Sequence, residues 1–241
     1  MNNNHYQLLK YCIDNNNIKL WNGIKKECDE YGIIINLKNA NLENANFKNA
    51  DLFNADFKNT NLKNVNLENV DLRNANLKNA DLFNAKLKNA SLENAKLKNA
   101  ILKNADLRYA DFSNVDFRYA DLRYAKLSNA NLEYANLENT NLKNADLEFA
   151  DLFNANLKNA DLKNANLNNA IWDGIQIVGL KWCIIIIKNQ IQIGCEIHSP
   201  EQWEKFNDEE INKMNTNALN WWKQNKKNIF YIYKNFEKLS R

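Results

Sequence analysis

Cys195 and His198 stand in a C-x-x-H arrangement, where residue type and spacing come closest to a reactive centre. A zinc site there would need two further ligands. Cys183 can lie across a hairpin from the pair, but a fourth ligand is not evident, so a buried structural cysteine is the expected role. A Cys–His nucleophile would need a cleft and an oxyanion hole, and no motif supplies either. The rest of the chain is poor in such chemistry. It holds 2 His, 5 Gly, 1 Pro and 4 Cys, the last at positions 12, 28, 183 and 195. That leaves little for His-based sites, a Gly-rich phosphate loop, a zinc ribbon or a disulfide scaffold. Cys12 and Cys28 fall on apolar helix faces and read as core. No catalytic residue, metal or cofactor is expected, and the chain reads as non-enzymatic.

What remains is recognition. Lys38, Lys58, Lys78, Lys98, Arg118 and Lys158 recur at intervals of 20 residues, broken by Glu138 in the same series. On one face they would form a cationic stripe for a polyanion. Fifteen of the 27 positions of this kind are basic, so the stripe rises little above background. Asp51, Asp71, Asp111 and Asp151 form an acidic series. Residues 36–170 hold 18 basic and 17 acidic side chains, a net of +1, and the whole chain has a net charge of +3. That balance excludes a strongly basic nucleic-acid coat and a strongly acidic mimic as descriptions of the whole chain, and argues against DNA as the partner. Exposed aromatics are more informative. Tyr109, Tyr119, Tyr124 and Tyr134 replace Asn at one repeat position, with Phe149 beyond them. Phe53, Phe153 and Phe83 stand one place earlier in their repeats. Two readings stay open: each tyrosine covers a corner with its ring and keeps its hydroxyl wet, or the group forms a partial belt for a partner.

The element that must position these residues is a period of five running from Leu37 to Leu167 without insertion. Leu or Phe fills 27 of 27 fifth positions, with Phe only at 47, 57, 112 and 117. Ala fills 22 of 27 positions from 40 to 170, the exceptions being Thr60, Val65, Val70, Val115 and Thr140. A disordered Asn-rich tract has no reason to place Leu so strictly. Five residues advance an α-helix by about 500°, which gives no face. Five is odd, so a flat strand would send alternate Leu residues to opposite sides. The chain must turn a corner every five residues and keep Leu and Ala inside. Stacked coils would pair backbone to backbone at about 4.8 Å. Asn and Asp suit the corners, and identical Asn residues in successive coils could form ladders. The period alone does not separate four sides from three.

Tandem A(D/N)LXX units, such as ANFKN at 45–49, ADLFN at 50–54 and ADLRY at 105–109, resemble the pentapeptide-repeat proteins over residues 35–174. The resemblance implies an all-β solenoid, a right-handed quadrilateral β-helix with four repeats per coil and thus about 6–7 coils.

Both ends differ in composition. Residues 1–34 read as a helical N-terminal cap, with short helices at 8–13 and 18–32, where Ile18, Trp21, Ile24, Lys25 and Cys28 give an apolar stripe with a basic flank. Trp21–Asn22 also resembles the lead-in of many bacterial members of the family. Residues 175–241 read as an α+β C-terminal module, a cap or interaction module resembling segments that follow such repeats in some bacterial and phage-associated proteins. Runs at 182–189 and 190–197 suggest one hairpin, while Ile171, Ile175 and Ile177 would carry the last coil onto it. Ser199 suits a helix N-cap with Pro200 and Gln202 behind it, and Asp208 caps the next helix. A longer helix is predicted over 216–239, with Leu219, Trp222, Ile229, Tyr233 and Phe236 on one face.

Solenoids offer long rigid surfaces and no natural cleft, which favours binding over chemistry. The expected function is a non-enzymatic interaction or scaffold protein whose partner is another protein or a second copy of itself. One alternative comes from the resemblance: some relatives mimic duplex DNA, bind DNA gyrase and protect it from quinolones, but those are strongly acidic. The other alternative is an effector activity in 171–241. No run of about 18 apolar residues predicts a membrane span, and the N-terminus does not read as a signal peptide, so a soluble cytoplasmic protein is expected.

Overall fold

The computed structural model describes residues 4–15, 17–157, 160–171, 175–177, 184–187, 190–194, 196–215 and 218–239. It divides into two compact units, Met1–Trp172 and Asp173–Arg241. In the first, the repeats pair in parallel at a constant offset, from Asn36↔Asp56 and Asn41↔Asn61 to Asp151↔Ile171. The offset is 20 residues, so each coil holds four pentapeptides, and the three-sided alternative is gone.

Residues 76–80 show why the repeat has its composition, because each of the five backbone N–H groups has a partner. Asn76 N–H donates back to Ala55 O (2.9 Å), while Leu77 and Asn79 donate forward to Lys96 O (2.8 Å) and Lys98 O (3.0 Å). Ala80 N–H closes the corner on Leu77 O at 3.0 Å, and Lys78 N–H donates to the Asn76 side chain at 3.3 Å. Buried backbone polar groups must be paired, and here the repeat pairs them by its own chemistry. The corner is a turn whose third residue, Asn79, has φ +58°. A type II turn requires that left-handed conformation, which Asn tolerates and most L residues do not. Two Asx positions therefore do different work: the one before Leu accepts from the backbone, and the one two after Leu supplies the bend. The latter also stack into amide ladders, with Asn59 donating to Asn39 at 3.0 Å, Asn79 to Asn59 at 2.9 Å and Asn99 to Asn79 at 3.1 Å.

Inside the coils the Leu and Phe side chains are buried in every described repeat, and Ala closes the gaps between them. Phe112 and Phe117, on adjacent sides of the coils, pack with ring centroids 5.1 Å apart. Thr60 and Thr140 replace Ala without an orphaned hydroxyl, donating to Leu37 O (2.8 Å) and Phe117 O (2.9 Å).

Helices α1 (Asn4–Asp14) and α2 (Ile18–Glu30) precede the coils. The first coil has no predecessor to pair with, and Trp21–Asn22 on α2 supplies one side of it. Trp21 Nε1 donates to Asp51 O at 2.7 Å, Asn22 Oδ1 accepts from Asp51 N at 2.8 Å, and Asn22 Nδ2 donates to Asn49 O at 3.1 Å. Two side chains thus stand where a preceding strand would. Lys25, read in the sequence as part of an apolar stripe, is itself fully buried, hydrogen-bonded to Asp29.

The second unit contains a meander of four antiparallel strands, β1 (Ile175–Ile177), β2 (Ile184–Ile187), β3 (Gln190–Ile193) and β4 (Glu196–His198), in that order. The expected single hairpin is corrected in two ways. The 190–197 run breaks into two strands because Gly194 adopts φ +61°, and 175–177 is the first strand of this sheet. Helix α3 (Pro200–Lys205) starts on a Ser199–Gln202 capping box. Helix α4 (Asp208–Met214) is capped by Asn207, not Asp208, because Asn207 forms the capping box with Glu210. Helix α5 runs Ala218–Leu239. Its buried face holds Trp222, Ile229 and Tyr233 as expected, and also Phe230. These pack with Ile184, Ile186, Ile191, Ile193 and Trp203 as one core, and Trp203 Nε1 donates to Ile191 O at 2.7 Å.

The corner chemistry predicts a split between two substitutions at one site. Asn79→Ala should cost about 1–2 kcal/mol in chemical denaturation, through left-handed strain and lost ladder bonds, whereas Asn79→Gly should cost less. Equal costs would mean that the bend is not what Asn supplies.

Candidate functional site

Of the 26 described corner residues with positive φ, 21 are Asn and five are aromatic. Tyr109, Tyr119, Tyr124, Tyr134 and Phe149 have φ of 60°, 61°, 59°, 57° and 57°. A bulky residue there is a genuine backbone outlier costing roughly 1–3 kcal/mol. All five rings are more than half exposed, at 52–55%. Tyr119, Tyr124 and Tyr134 occupy three corners of the coil 116–135, and Tyr109 occupies the fourth corner one coil earlier. They encircle the coils as a belt. Phe149 stands on the corner of Tyr109, two coils on. Phe153 meets Tyr134 edge-on at 6.5 Å between centroids.

The coil just before the belt departs from the repeat in a second way. Its four Asx positions hold Lys86, Ser91, Lys96 and Ile101, so none supplies the local turn acceptor. Lysines of this coil instead cover the belt: Lys88 lies over Tyr109 at 5.6 Å, Lys98 over Tyr119 at 5.4 Å and Lys103 over Tyr124 at 6.0 Å. Ile101 is left 41% exposed. The tyrosines are legible in the sequence, and so is this second departure, as four consecutive repeats without Asx at the position before Leu.

The arginines of the belt are held by their own repeats. Arg108 grips Asp106 through Nε (2.7 Å) and Nη2 (2.6 Å), and Arg118 grips Asp116 and Arg123 grips Asp121 in the same two-pronged way. The hydrogen bonds from Arg108 and Arg118 hold the Asp106 and Asp116 carboxyls below their ordinary values. Such two-pronged pairing fixes the guanidinium in place.

The other sequence candidates are spread differently. Lys38 pairs with Asp56 at 3.0 Å. Lys58, Lys78 and Lys98 share a face with Arg118, and Lys158 lies outside the described residues. Phe53 is half-buried under Lys25 (5.6 Å) and Arg73 (5.7 Å), so it serves the N-terminal end rather than the belt.

In the second unit, Cys183 and Cys195 lie outside the described residues, so the C-x-x-H reading has no described cysteine. His198 Nε2 is 3.5 Å from Glu196 Oε2, too long for a good hydrogen bond. Its ring packs edge-on against Trp203 and Phe206, at 5.1 and 4.7 Å. Among the described residues no group of three or more His, Cys, Asp or Glu is placed to hold a metal. A slot of about 70 Å³ is lined chiefly by Trp203, Trp221, Trp222, Met214 and Ile211, with Glu196 its ionisable group. Among the described residues no helix is long and apolar enough to cross a membrane.

Residues 35–69, 60–99, 99–133 and 130–169 match the family model described as pentapeptide repeats, in 8 copies. Solved structures similar to this chain include HetL, a pentapeptide repeat protein involved in heterocyst differentiation regulation from the cyanobacterium Nostoc sp. strain PCC 7120. It is 29% identical over 62% of this chain and 91% of its own, with a TM-score of 0.22. Rfr23 from the cyanobacterium Cyanothece 51142 is 32% identical over 47% of this chain and 88% of its own, TM-score 0.23. Full-length QnrB1, a plasmid-mediated fluoroquinolone resistance protein, is 20% identical over 58% of this chain and 84% of its own, TM-score 0.32. No curated protein matches the chain.

The surroundings of His198 predict a pH response. Burial pushes its imidazole below the ordinary value, against the pull of Glu196. The folded unit therefore prefers the neutral ring. Its contribution is intact above the ordinary value of about 6.5 and is lost as pH falls from there through the depressed folded value. Tryptophan fluorescence should show the second unit melting earlier at pH of about 5.5 than at about 7.5, and His198→Gln should flatten that difference. An unchanged pH dependence in the variant would assign the effect to other groups.

Proposed function

We propose that this chain, which belongs to the pentapeptide-repeat family, is a non-enzymatic interaction protein whose repeat surface binds a protein partner. The observation that carries the reading is the belt of five exposed aromatics at backbone positions where Asn is the unstrained choice. Local stability gives no reason to hold Tyr there. Strained backbone of this kind persists where another demand is met. Tyr is also the residue type that anchors protein interfaces, since it brings a large rigid ring with one polar tip. The lysines laid across three of the rings keep the unbound belt wet and soluble.

Two features favour binding over catalysis. The described cavities lack a convergent set of acid, base and nucleophile, and the repeat surface is built from periodic, self-satisfied corners. The near-neutral charge of the repeats, 18 basic against 17 acidic, also fits a general protein partner better than a mimic of duplex DNA.

The test combines stability and capture. Replacing Tyr109, Tyr119, Tyr124 and Tyr134 together by Asn should leave the thermal midpoint unchanged or raise it. Relief of about 1 kcal/mol of strain per site matches or exceeds the loss of about 0.5–1 kcal/mol per exposed cation–π contact. The same variant should lose a partner that the full chain captures from lysate of its source cells, by about tenfold or more. A variant that melts much earlier would make the tyrosines structural, and one that captures the partner as well as the parent would move the interface elsewhere. A partner that a 1–174 truncation fails to hold would place the interaction on the second unit.

A further inference from the structure

We infer that one face of the repeats, carrying Lys58, Lys78, Lys96 and Lys98, docks a short extended acidic segment of the protein partner. The inference rests on the proposed interaction function and names the chemistry of that partner.

Basic rows occur on more than one face, but their charges are disposed differently. On the face that carries Lys63, Lys103, Arg123, Lys143 and Lys163, three of the five cations are held by carboxylates, Lys63 by Asp81 at 3.3 Å, Arg123 by Asp121 at 2.6 Å and Lys143 by Asp161 at 2.8 Å, and Lys103 lies over Tyr124. On the face of Lys58, Lys78, Lys96 and Lys98, none of these four lysines makes an ion pair among the described residues. Its carboxylates are already taken, Asp56 by Lys38 and Asp116 by Arg118. Lys78, Lys96, Lys98 and Arg118 line one shallow groove, with Asn76, Asn94, Asn114 and the Asp116 carboxylate that Arg118 holds.

Lys96 puts a second ammonium beside Lys98 in one coil of this row. Its position normally carries the Asx that accepts from the backbone N–H two residues on, and Lys96 gives that bond up. It pairs by backbone with Asp116 in the next coil, which sets its ammonium among Lys78, Lys98 and Arg118. Unpaired ammonium groups one coil apart repel, at a separation of about 4.8 Å between backbones. An anion in the groove removes that repulsion. The exposed ring of Tyr119, under Lys98, stands at the corner of the same face as an anchor.

Length and boundaries select the ligand. Lys58 to Arg118 spans three coil steps, about 14 Å. In an extended peptide, side chains on one side recur about every 6.8 Å, so three alternating carboxylates cover the same length. Beyond Arg118 the row meets Glu138, and Glu93 and Glu133 hold the flanking corner. A long phosphate strand would run onto those carboxylates, whereas a short acidic segment fits between them.

The test measures fluorescence anisotropy of a labelled ten-residue peptide of alternating Glu and Ser, titrated with the full chain at ionic strength of about 50 mM. The parent should bind it saturably. Lys78→Glu with Lys98→Glu should weaken binding about tenfold or more, and Lys63→Glu with Lys143→Glu less than about threefold. Failure of the belt is read by capture from lysate and failure of the basic face by peptide anisotropy, so the two read out separately. Absence of saturable binding, or equal weakening in both lysine pairs, overturns the inference. A single-stranded oligonucleotide of equal charge that binds more tightly than the peptide and is lost with the same Lys78 and Lys98 exchanges overturns it in favour of a phosphate ligand.

Discussion

Everything in the first unit depends on one backbone constraint: every fifth residue must adopt a left-handed conformation. That residue lets a four-residue turn close, so the chain corners, and four corners bring the backbone back one coil later. Without the bend, Leu at every fifth position has no common interior. With it, three of the five N–H groups of a repeat pair with neighbouring coils, one closes the turn, and the Asx side chain takes the fifth. Apolar burial supplies most of the favourable energy, but the bend decides where apolar residues can go.

The constraint also makes departures legible. Asn is cheap at the bend because its short polar side chain tolerates the left-handed region. Five aromatics there, following a coil that has lost all four Asx acceptors, form one continuous zone from Lys86 to Phe149 in an otherwise self-consistent array. Natural sequences tend to agree with their folds at every level except where function competes. The zone is where this chain disagrees with its own repeat. The arginines there are tied to their own aspartates, whereas Lys78, Lys96 and Lys98 line a groove without ion pairs among the described residues.

The ends solve a different problem. A coil edge leaves backbone donors and acceptors without partners, a template for unwanted pairing. At the N-terminal edge, Trp21 and Asn22 imitate part of a strand using an indole N–H and an amide. The indole and amide meet the edge with both a donor and an acceptor, which two apolar side chains could not do. The second unit follows ordinary rules instead: among the described residues, one sheet, three helices of which two open on capping boxes, and a tryptophan-rich core.

Sequence alone determined the period, the inward Leu and Ala, the Asn ladders and the tyrosine positions, because a five-residue spacing is incompatible with any straight element. It also carried the helices on both ends, through their caps and apolar faces. Only the tertiary structure decided the number of sides, since pairing at an offset of 20 is a contact between coils and not a local preference. Gly194 split a strand that local propensity joined, because its positive φ depends on the turn it closes. Lys25 was placed inside a cap where its position suggested a stripe edge. The site divides along the same line. Which residues are aromatic or basic is written in the chain. That the tyrosines sit in strained backbone, and that Lys58, Lys78, Lys96 and Lys98 have no ion pair among the described residues, follows from what the neighbouring coils bring within reach.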